Sequence, residues 1–176
     1  ELIMTAVEDT PLNRNYLSPL NYKFTVKKLP NVNFFLQKVN LPSMNINPTG
    51  MPNPFTFIPM SGDHIQFGAL SISFKVDENL KNYQEIFDWL VGLGFPQSYD
   101  QYAKLEARNK VYEGLTSDIS IMVTDHAKNP RFEFIFRDAF PTYISDLNFD
   151  TTTQDVNYLT VSANFKYTLF EINRRI

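Results

Sequence analysis

Two histidines, nineteen carboxylates and no cysteine are the whole stock from which this 176-residue chain could build a reactive centre. Without cysteine there is no thiolate nucleophile, no disulfide and no Cys-ligated zinc or iron–sulfur site. His64 follows Ser61-Gly62-Asp63, and His126 lies in Asp125–Pro130 (DHAKNP). Both settings are turn chemistry, and the two do not stand at i, i+4, so they form no helical metal pair. Asp77-Glu78 precedes a helical pattern, where capping and the helix dipole explain acidic residues. Asp138 and Asp146 fall near strand ends and suit turns. Hydrolysis by two carboxylates needs a fixed separation, and no spacing here singles out a pair. There is no phosphate-binding glycine loop, no Gly-x-Ser-x-Gly, and no serine or threonine marked by an adjacent base. The residues therefore read as a non-enzyme without cofactor or metal.

The elements that would carry any site follow from composition and period. Length favours one domain, and a chain of this size buries about 70% of its unfolded surface without staples. Phe occurs 16 times, Tyr 9 times and Trp once, which leans toward strands. The net charge of −3 argues against a general nucleic-acid coat. The doublets Lys27-Lys28 and Arg174-Arg175 are isolated, and Arg131 and Arg137 flank a phenylalanine strand on a solvated face. No apolar run reaches the ~18 residues of a membrane-crossing helix, and residues 1–13 lack the pattern of a signal peptide.

Residues 1–19 read as an N-terminal arm, broken by Pro11 and Pro19. Residues 20–176 read as a single domain. Tyr22, Phe24 and Val26 alternate with lysines and threonine, and Asn33–Leu41 is a second strand, with residues 28–32 as a hairpin connection. Leu70, Ile72, Phe74 and Val76 form a clear strand. A helix over about residues 78–93 has Asp77 or Asn79 as N-cap and Leu80, Tyr83, Ile86, Phe87, Leu90 and Val91 as its apolar stripe. Gly94 ends it, and Trp89 falls off the stripe, either at the helix–sheet boundary or facing a partner. Residues 97–116 are a tyrosine-bearing connection with a short helix around 102–110. Residues 119–124, 132–137, 142–149 and 159–170 complete about seven strands. The expected class is mainly β (α+β), an antiparallel barrel or sandwich with one main flanking helix.

Two features lack an obvious home within one chain. Residues 42–63 carry five prolines, so most of the stretch cannot be an interior strand. They still hold Met44, Ile46, Met51, Phe55, Phe57 and Ile58, which suit either a loop folded over its own core or an arm that docks on a neighbour. The polar strand faces, with Ser71, Ser73, Lys75, Ser120, Thr124, Thr160, Ser162, Asn164, Lys166 and Thr168, are either the wet side of a sheet or the lining of a wide channel. A chain of this length closes at most a small, filled barrel, so a channel requires a ring of chains. Such a ring would also pair the open sheet edges.

The order of these pieces resembles the tail tube proteins of contractile-tailed bacteriophages and the related tube proteins of contractile injection systems. The residues that carry the resemblance are a strand ending in Leu41-Pro42, the Pro-rich excursion, Ser61-Gly62-Asp63-His64, Leu70–Val76, Asp77-Glu78 and a helix with Trp89. Phe140-Pro141-Thr142 and the closing strand Leu159–Phe170 complete it, over roughly residues 20–172. The resemblance implies a structural virion protein in the phage tail, assembled in the host cytoplasm as stacked hexameric rings around a DNA-conducting lumen. It implies self-association, neighbours among sheath, baseplate and terminator proteins, and DNA passing without specific binding. Ring-to-ring contacts then fall on Met44, Ile46, Met51, Phe55, Phe57 and Ile58. The lumen face falls on Ser71, Ser73, Lys75, Thr160, Ser162, Asn164 and Lys166. A tube-initiating baseplate or tail-terminator ring of the same fold is one alternative. A monomeric β-barrel binding module, suggested by Tyr99, Tyr102 and Tyr112, is another.

Overall fold

The computed structural model describes residues 16–108, 115–150 and 158–174, with side chains throughout except at 104–108. The architecture is built on one long strand. Residues Pro130–Ile144 (β9) are flanked at their start by Ser117–Thr124 (β8) and at both halves by the chain's closing segment. That segment is two strands, Thr160–Lys166 (β10) and Leu169–Arg174 (β11), which follow β9 antiparallel one after the other. The first half of β9 lies in a sheet with Tyr22–Val26 (β1), β8 and β11. Its second half lies in another sheet with β10, Leu70–Lys75 (β7) and Leu36–Asn40 (β2). The strand order is β1-β8-β9-β10-β7-β2, with β11 on β9.

Long strands turn corners at irregular positions. Here Asp138 takes a left-handed φ of 53° opposite the gap between β10 and β11. Asp118 holds the corner, accepting from the Asp138 backbone N–H at 3.2 Å and from Arg137 at 2.9 Å. The Thr168 N–H reaches the Arg137 carbonyl at 3.0 Å.

The core lies between the sheets and two helices. Phe24 and Val26, Leu70, Ile72 and Phe74, Ile119 and Ile121, Phe136, and Val161, Ala163 and Phe165 are all buried. The period-two patterns of β7, β8 and the first half of the closing segment therefore point inward as the sequence predicts. Helix α2 (Lys81–Gly94) covers one side, burying Asn82, Ile86, Trp89 and Gly92. Trp89 is 3% exposed. It donates its indole N–H to the Leu115 carbonyl at 2.9 Å and lies 6.2 Å from the Phe165 ring.

Several expectations give way. Among the described residues no closed barrel forms, two sheets share β9, and eleven strands and three helices stand where about seven strands, one main helix and one short one were expected. Residues 33–41 are not one strand paired with β1. Pro30–Phe35 is a short helix (α1) with Pro at its first turn, where the missing N–H costs nothing. Asn33 from α1 bonds both the N–H and the carbonyl of Val26, standing in for a neighbouring strand. The main helix starts later than expected. Neither Asp77 nor Asn79 caps it; Leu80 stands at that position in a left-handed conformation. Asn82 instead ties the turn to β7, accepting from the Asp77 N–H and donating to the Lys75 carbonyl at 2.7 Å. This rotates the buried stripe, leaving Leu80 and Phe87 exposed and placing Trp89 in the core.

The second helix of the connection runs Tyr99–Arg108 (α3). Residues 142–149 form no separate strand, because β9 continues through Pro141 to Ile144. The closing strand breaks at Tyr167-Thr168, and the faces exchange there: Leu169 is exposed, while Phe170 stacks on Phe136 at 4.9 Å.

Phe165 is fully buried against Trp89, so Phe165→Ala is expected to cost about 3–5 kcal/mol, read by urea denaturation followed through Trp89 emission. The turn between β8 and β9 supplies a pH signature. The Asn129 backbone N–H, donated to Asp125 at 2.9 Å, is the main cause holding that carboxyl below its ordinary range, with Arg131 adding to it. A depressed carboxylate stabilises above its unfolded pKa and loses that contribution as pH falls. Asp125→Asn should therefore lower the urea midpoint at neutral pH, with the difference from wild type shrinking as pH falls through the carboxylate range.

Candidate functional site

The Pro-rich excursion is a projecting β-hairpin in two ribbons. Met44–Ile46 (β3) pairs with Ile65–Phe67 (β6) at the base, and Thr49–Pro52 (β4) pairs with Phe57–Met60 (β5) beyond it. The stretch thus builds two ladders of its own, with no strand interior to a sheet. Both strands of a two-stranded ribbon are edges, so Pro52 and Pro59 can sit in the ladder without an unmet donor. The Phe57 ring packs on Gly50 across the ribbon, where a Cβ would approach it to 2.9 Å. At the elbow between ribbons the backbones nearly touch. A Cβ on Gly62 would lie 2.1 Å from the Asn47 carbonyl oxygen, so only glycine fits.

The apolar residues named from sequence all lie on this hairpin and all are exposed. Met44 and Ile46 pair with Phe67 and Ile65, Met51 pairs with Ile58, and Phe55 at the tip is 95% exposed. Met60, on β5 with Phe57 and Ile58, and Ile65, on β6 beyond residues 42–63, belong to the same surface and were missed. Their alternation was legible once a hairpin was assumed. His64 and Asp63 pair with each other at the elbow, both exposed. The hairpin does not fold over the core. An isolated ribbon of this kind is marginal in water, and apolar exposure on this scale marks an interaction surface.

The second candidate surface is the outward face of the β2-β7-β10-β9 sheet. Directly opposed residues share a face, so the register assembles it. Lys38, Ser73 and Ser162 form one row, and Asn40, Ser71, Asn164 and Tyr143 the next. Lys75 opposes Thr160, and Lys166 opposes Phe140. The Ser73 and Ser162 hydroxyls bond at 3.0 Å, and the Ser162 N–H reaches the Ser145 hydroxyl at 3.1 Å. Lys75 Nζ lies 4.8 Å from the centre of the Tyr158 ring. All seven residues named for the lumen face therefore meet on one surface. Lys38, Asn40 and Tyr143 join them through β2 and β9, whose register the sequence did not disclose. Of the other polar residues named with them, Ser120 and Thr124 lie on β8, in the other sheet, and Thr168 lies at the break between β10 and β11.

The remaining candidates are explained locally. His126 occupies the β8–β9 turn, and Arg131 and Arg137 pair with Asp125 and Asp118. Phe95 stacks with Tyr99 at 5.2 Å and meets Tyr102 edge-on at 6.0 Å; Tyr112 lies outside the described residues. Among the described residues no group of three potential metal ligands occurs, and no helix is long and apolar enough to cross a membrane. Burial pushes the Tyr22 and Tyr167 hydroxyls above their ordinary pKa; the Tyr22 hydroxyl donates to the Gln37 carbonyl on β2 at 2.7 Å, and the Tyr167 ring lies 5.8 Å from Phe67 at the base of the hairpin.

The sequence model of the phage tail tube protein family matches residues 9–173. No curated protein matches the chain. Among solved structures, the chain is similar to the tube-terminating cap of the anti-feeding prophage, with a TM-score of 0.66 and 15% identity over 98% of this chain and 100% of that one. It is also similar to a chain of an extracellular contractile injection system's PVC sheath–tube complex, with a TM-score of 0.63 and 14% identity over 92% and 94% of the two chains. The PVC sheath/tube terminator gives a TM-score of 0.61 and 15% identity over 92% and 99%. These three are likenesses of fold.

The elbow geometry carries its own test. Gly62→Val should displace the Asn47 carbonyl and re-aim the outer ribbon, while the unfolding free energy from urea denaturation stays within about 0.5 kcal/mol of wild type, since the hairpin is outside the core. Amide exchange resolved by NMR should show the β4–β5 ladder opening and the β7–β10 ladder unchanged.

Proposed function

This chain belongs to the phage tail tube protein family, and from that premise we propose that it forms rings which stack through the hairpin around a central lumen. Its role is structural: a component of the tail tube or of the terminator that shares its fold. The single observation that supports stacking is the hairpin itself, which exposes Met44, Ile46, Met51, Phe55, Phe57 and Ile58 with nothing among the described residues to cover them. A neighbouring ring would bury that surface. At about 25 cal/mol per Å² of apolar area removed from water, several such side chains per subunit would supply a favourable contact repeated around the ring.

Within a ring, the edges β1, β2 and β11 are candidates for pairing between subunits. Each pairs on one side only among the described residues, and an unpaired edge is a template for another strand. The last strand does not offer its whole length for this, as β10 is interior and only β11 is free. The face bearing Ser71, Ser73, Lys75, Thr160, Ser162, Asn164 and Lys166 would turn toward the lumen. Six-fold symmetry, passage of DNA, contact with sheath and baseplate proteins, and assembly in the host cytoplasm all belong to this proposal. The full-length match to a tube-terminating cap keeps a single terminating ring as the second reading.

Phe55 tests the stacking. Phe55→Asp places a charge at the exposed tip and touches no core residue. The variant should keep the wild-type urea midpoint and form at most single rings, where wild type forms stacks under negative-stain electron microscopy. Stacks of normal length from the variant would reject the hairpin as the ring-to-ring contact.

A further inference from the structure

The β2-β7-β10-β9 sheet face is electrostatically one-sided. The whole chain is acidic, with 19 carboxylates against 16 lysines and arginines. Yet no residue of β2 (LQKVN), β7 (LSISFK), β10 (TVSANFK) or the shared end of β9, residues 140–144, is acidic. The outward face presents Lys38, Lys75 and Lys166 among hydroxyl and amide side chains. Among the described residues the carboxylates fall elsewhere, with Asp118, Glu133, Asp138 and Glu171 on the other sheet and Asp77 and Asp146 beyond the strand ends. None of the three lysines has a carboxylate within ion-pair distance among the described residues.

The lysines are also spread along the strands. Lys75, the Lys38–Ser73 row, the Asn40–Ser71 row and Lys166 occupy four successive rows of the face. At ~6.8 Å per two-residue step, they span about 20 Å. Ser73, Ser162, Asn164 and Thr160 between them can donate to phosphate oxygens but offer no apolar pocket and no fixed fork for reading bases. A sequence-blind polyanion fits that chemistry.

We propose that this face attracts the phosphate backbone of duplex DNA through Lys38, Lys75 and Lys166, without reading its sequence. The proposal rests on the lumen reading above for its biological setting, and it alters one part of it: the wall holds DNA weakly rather than ignoring or repelling it. In a ring the three lysines repeat in every subunit, so a passing duplex meets a continuous band of weak, exchangeable contacts. Such contacts permit sliding, because each is replaced by the next at little cost.

The test is fluorescence anisotropy of a labelled duplex of about 20 base pairs with the purified full chain, titrated between 50 and 200 mM NaCl. Three phosphates neutralised give a log–log salt slope of about −2.7, or about a 40-fold loss of affinity across that range. K38Q/K75Q/K166Q should abolish the slope, and each single variant should remove roughly a third of it. K23Q/K81Q, on the other sheet and on α2, should leave it intact. Circular dichroism checks that each variant is folded. Absence of binding at 50 mM NaCl, or a slope that the triple variant leaves unchanged, overturns the proposal. So does binding of polyglutamate in preference to DNA, which would make the occupant an acidic polypeptide. The setting is tested separately: Ser162→Cys in assembled tubes should resist a bulky maleimide. Ready labelling there would reject the lumen orientation while leaving the salt slope as it was measured.

Discussion

The constraint on which the rest depends is the shared bend of β9 with β10 and β11. One strand serves two sheets, and its partner segment must bend at the same place to stay in register. That explains why a non-glycine residue accepts a left-handed backbone at Asp138, a conformation that Asp tolerates better than most residues. It also explains the concentration of charge there. Asp118 accepts from both Arg137 and the Asp138 backbone, and Arg137 also meets Glu171 at 3.5 Å, which with Asp118 holds the guanidinium pKa above its ordinary value. These groups are about half exposed, so their net contribution to stability is small. Their use is geometric: they fix one angle between the sheets, and with it the direction in which each outward face points.

The bend also decides what is buried. Phe136 lies on the near side of the corner and Phe165 on the far side, and Tyr167 sits at the break between them, 4.9 Å from the Phe136 ring. Tyr167 also lies 5.8 Å from Phe67, the last residue of the hairpin's base. The core and the projecting hairpin thus meet at one aromatic contact. Beyond Phe67, and among the described residues, the hairpin has only its own ladder to hold it. Its direction is set at the base by this contact and at the elbow by Gly62 against Asn47. Two small constraints therefore aim a long apolar arm that has no core beneath it.

What the sequence disclosed follows from the same geometry. Alternation in Leu70–Lys75, Ile119–Val123 and Val161–Phe165 is dictated by residues that face a core on one side only, so period alone identifies those strands and their inward faces. The seven polar-face residues were legible for that reason. Partners were not legible, since register is a long-range property. Hence Lys38, Asn40 and Tyr143 could not be assigned to the face, and Ser120 and Thr124 were assigned to it wrongly. Local exceptions hid the rest. Asn33 imitates a strand for Val26, so α1 occupies a place that propensity alone would give to a hairpin. Asn82 ties the turn where Asp77 or Asn79 was the expected cap, and the resulting rotation of α2 carried Trp89 inward. The proline run misled in the opposite sense, because the rule against proline in ladders assumes an interior strand.

The two outward surfaces differ in kind, and the difference suits a tube. The hairpin is apolar and continuous, and apolar contact is non-directional and strengthens with area. A ring needs such contact where it must hold to its neighbour. The sheet face is hydroxyl-rich, and its charges are compact, strongly hydrated ammonium groups on flexible stems. Contacts of that type are screened by salt and exchange readily. A conduit needs such contact where something must move past. Both surfaces are carried by the same pair of strands: β2 leads directly into the hairpin and β7 leads directly out of it. In the proposed ring, the direction of stacking and the orientation of the wall would therefore be coupled by covalent continuity, so the β7–β2 pair could not be rotated to improve one without turning the other.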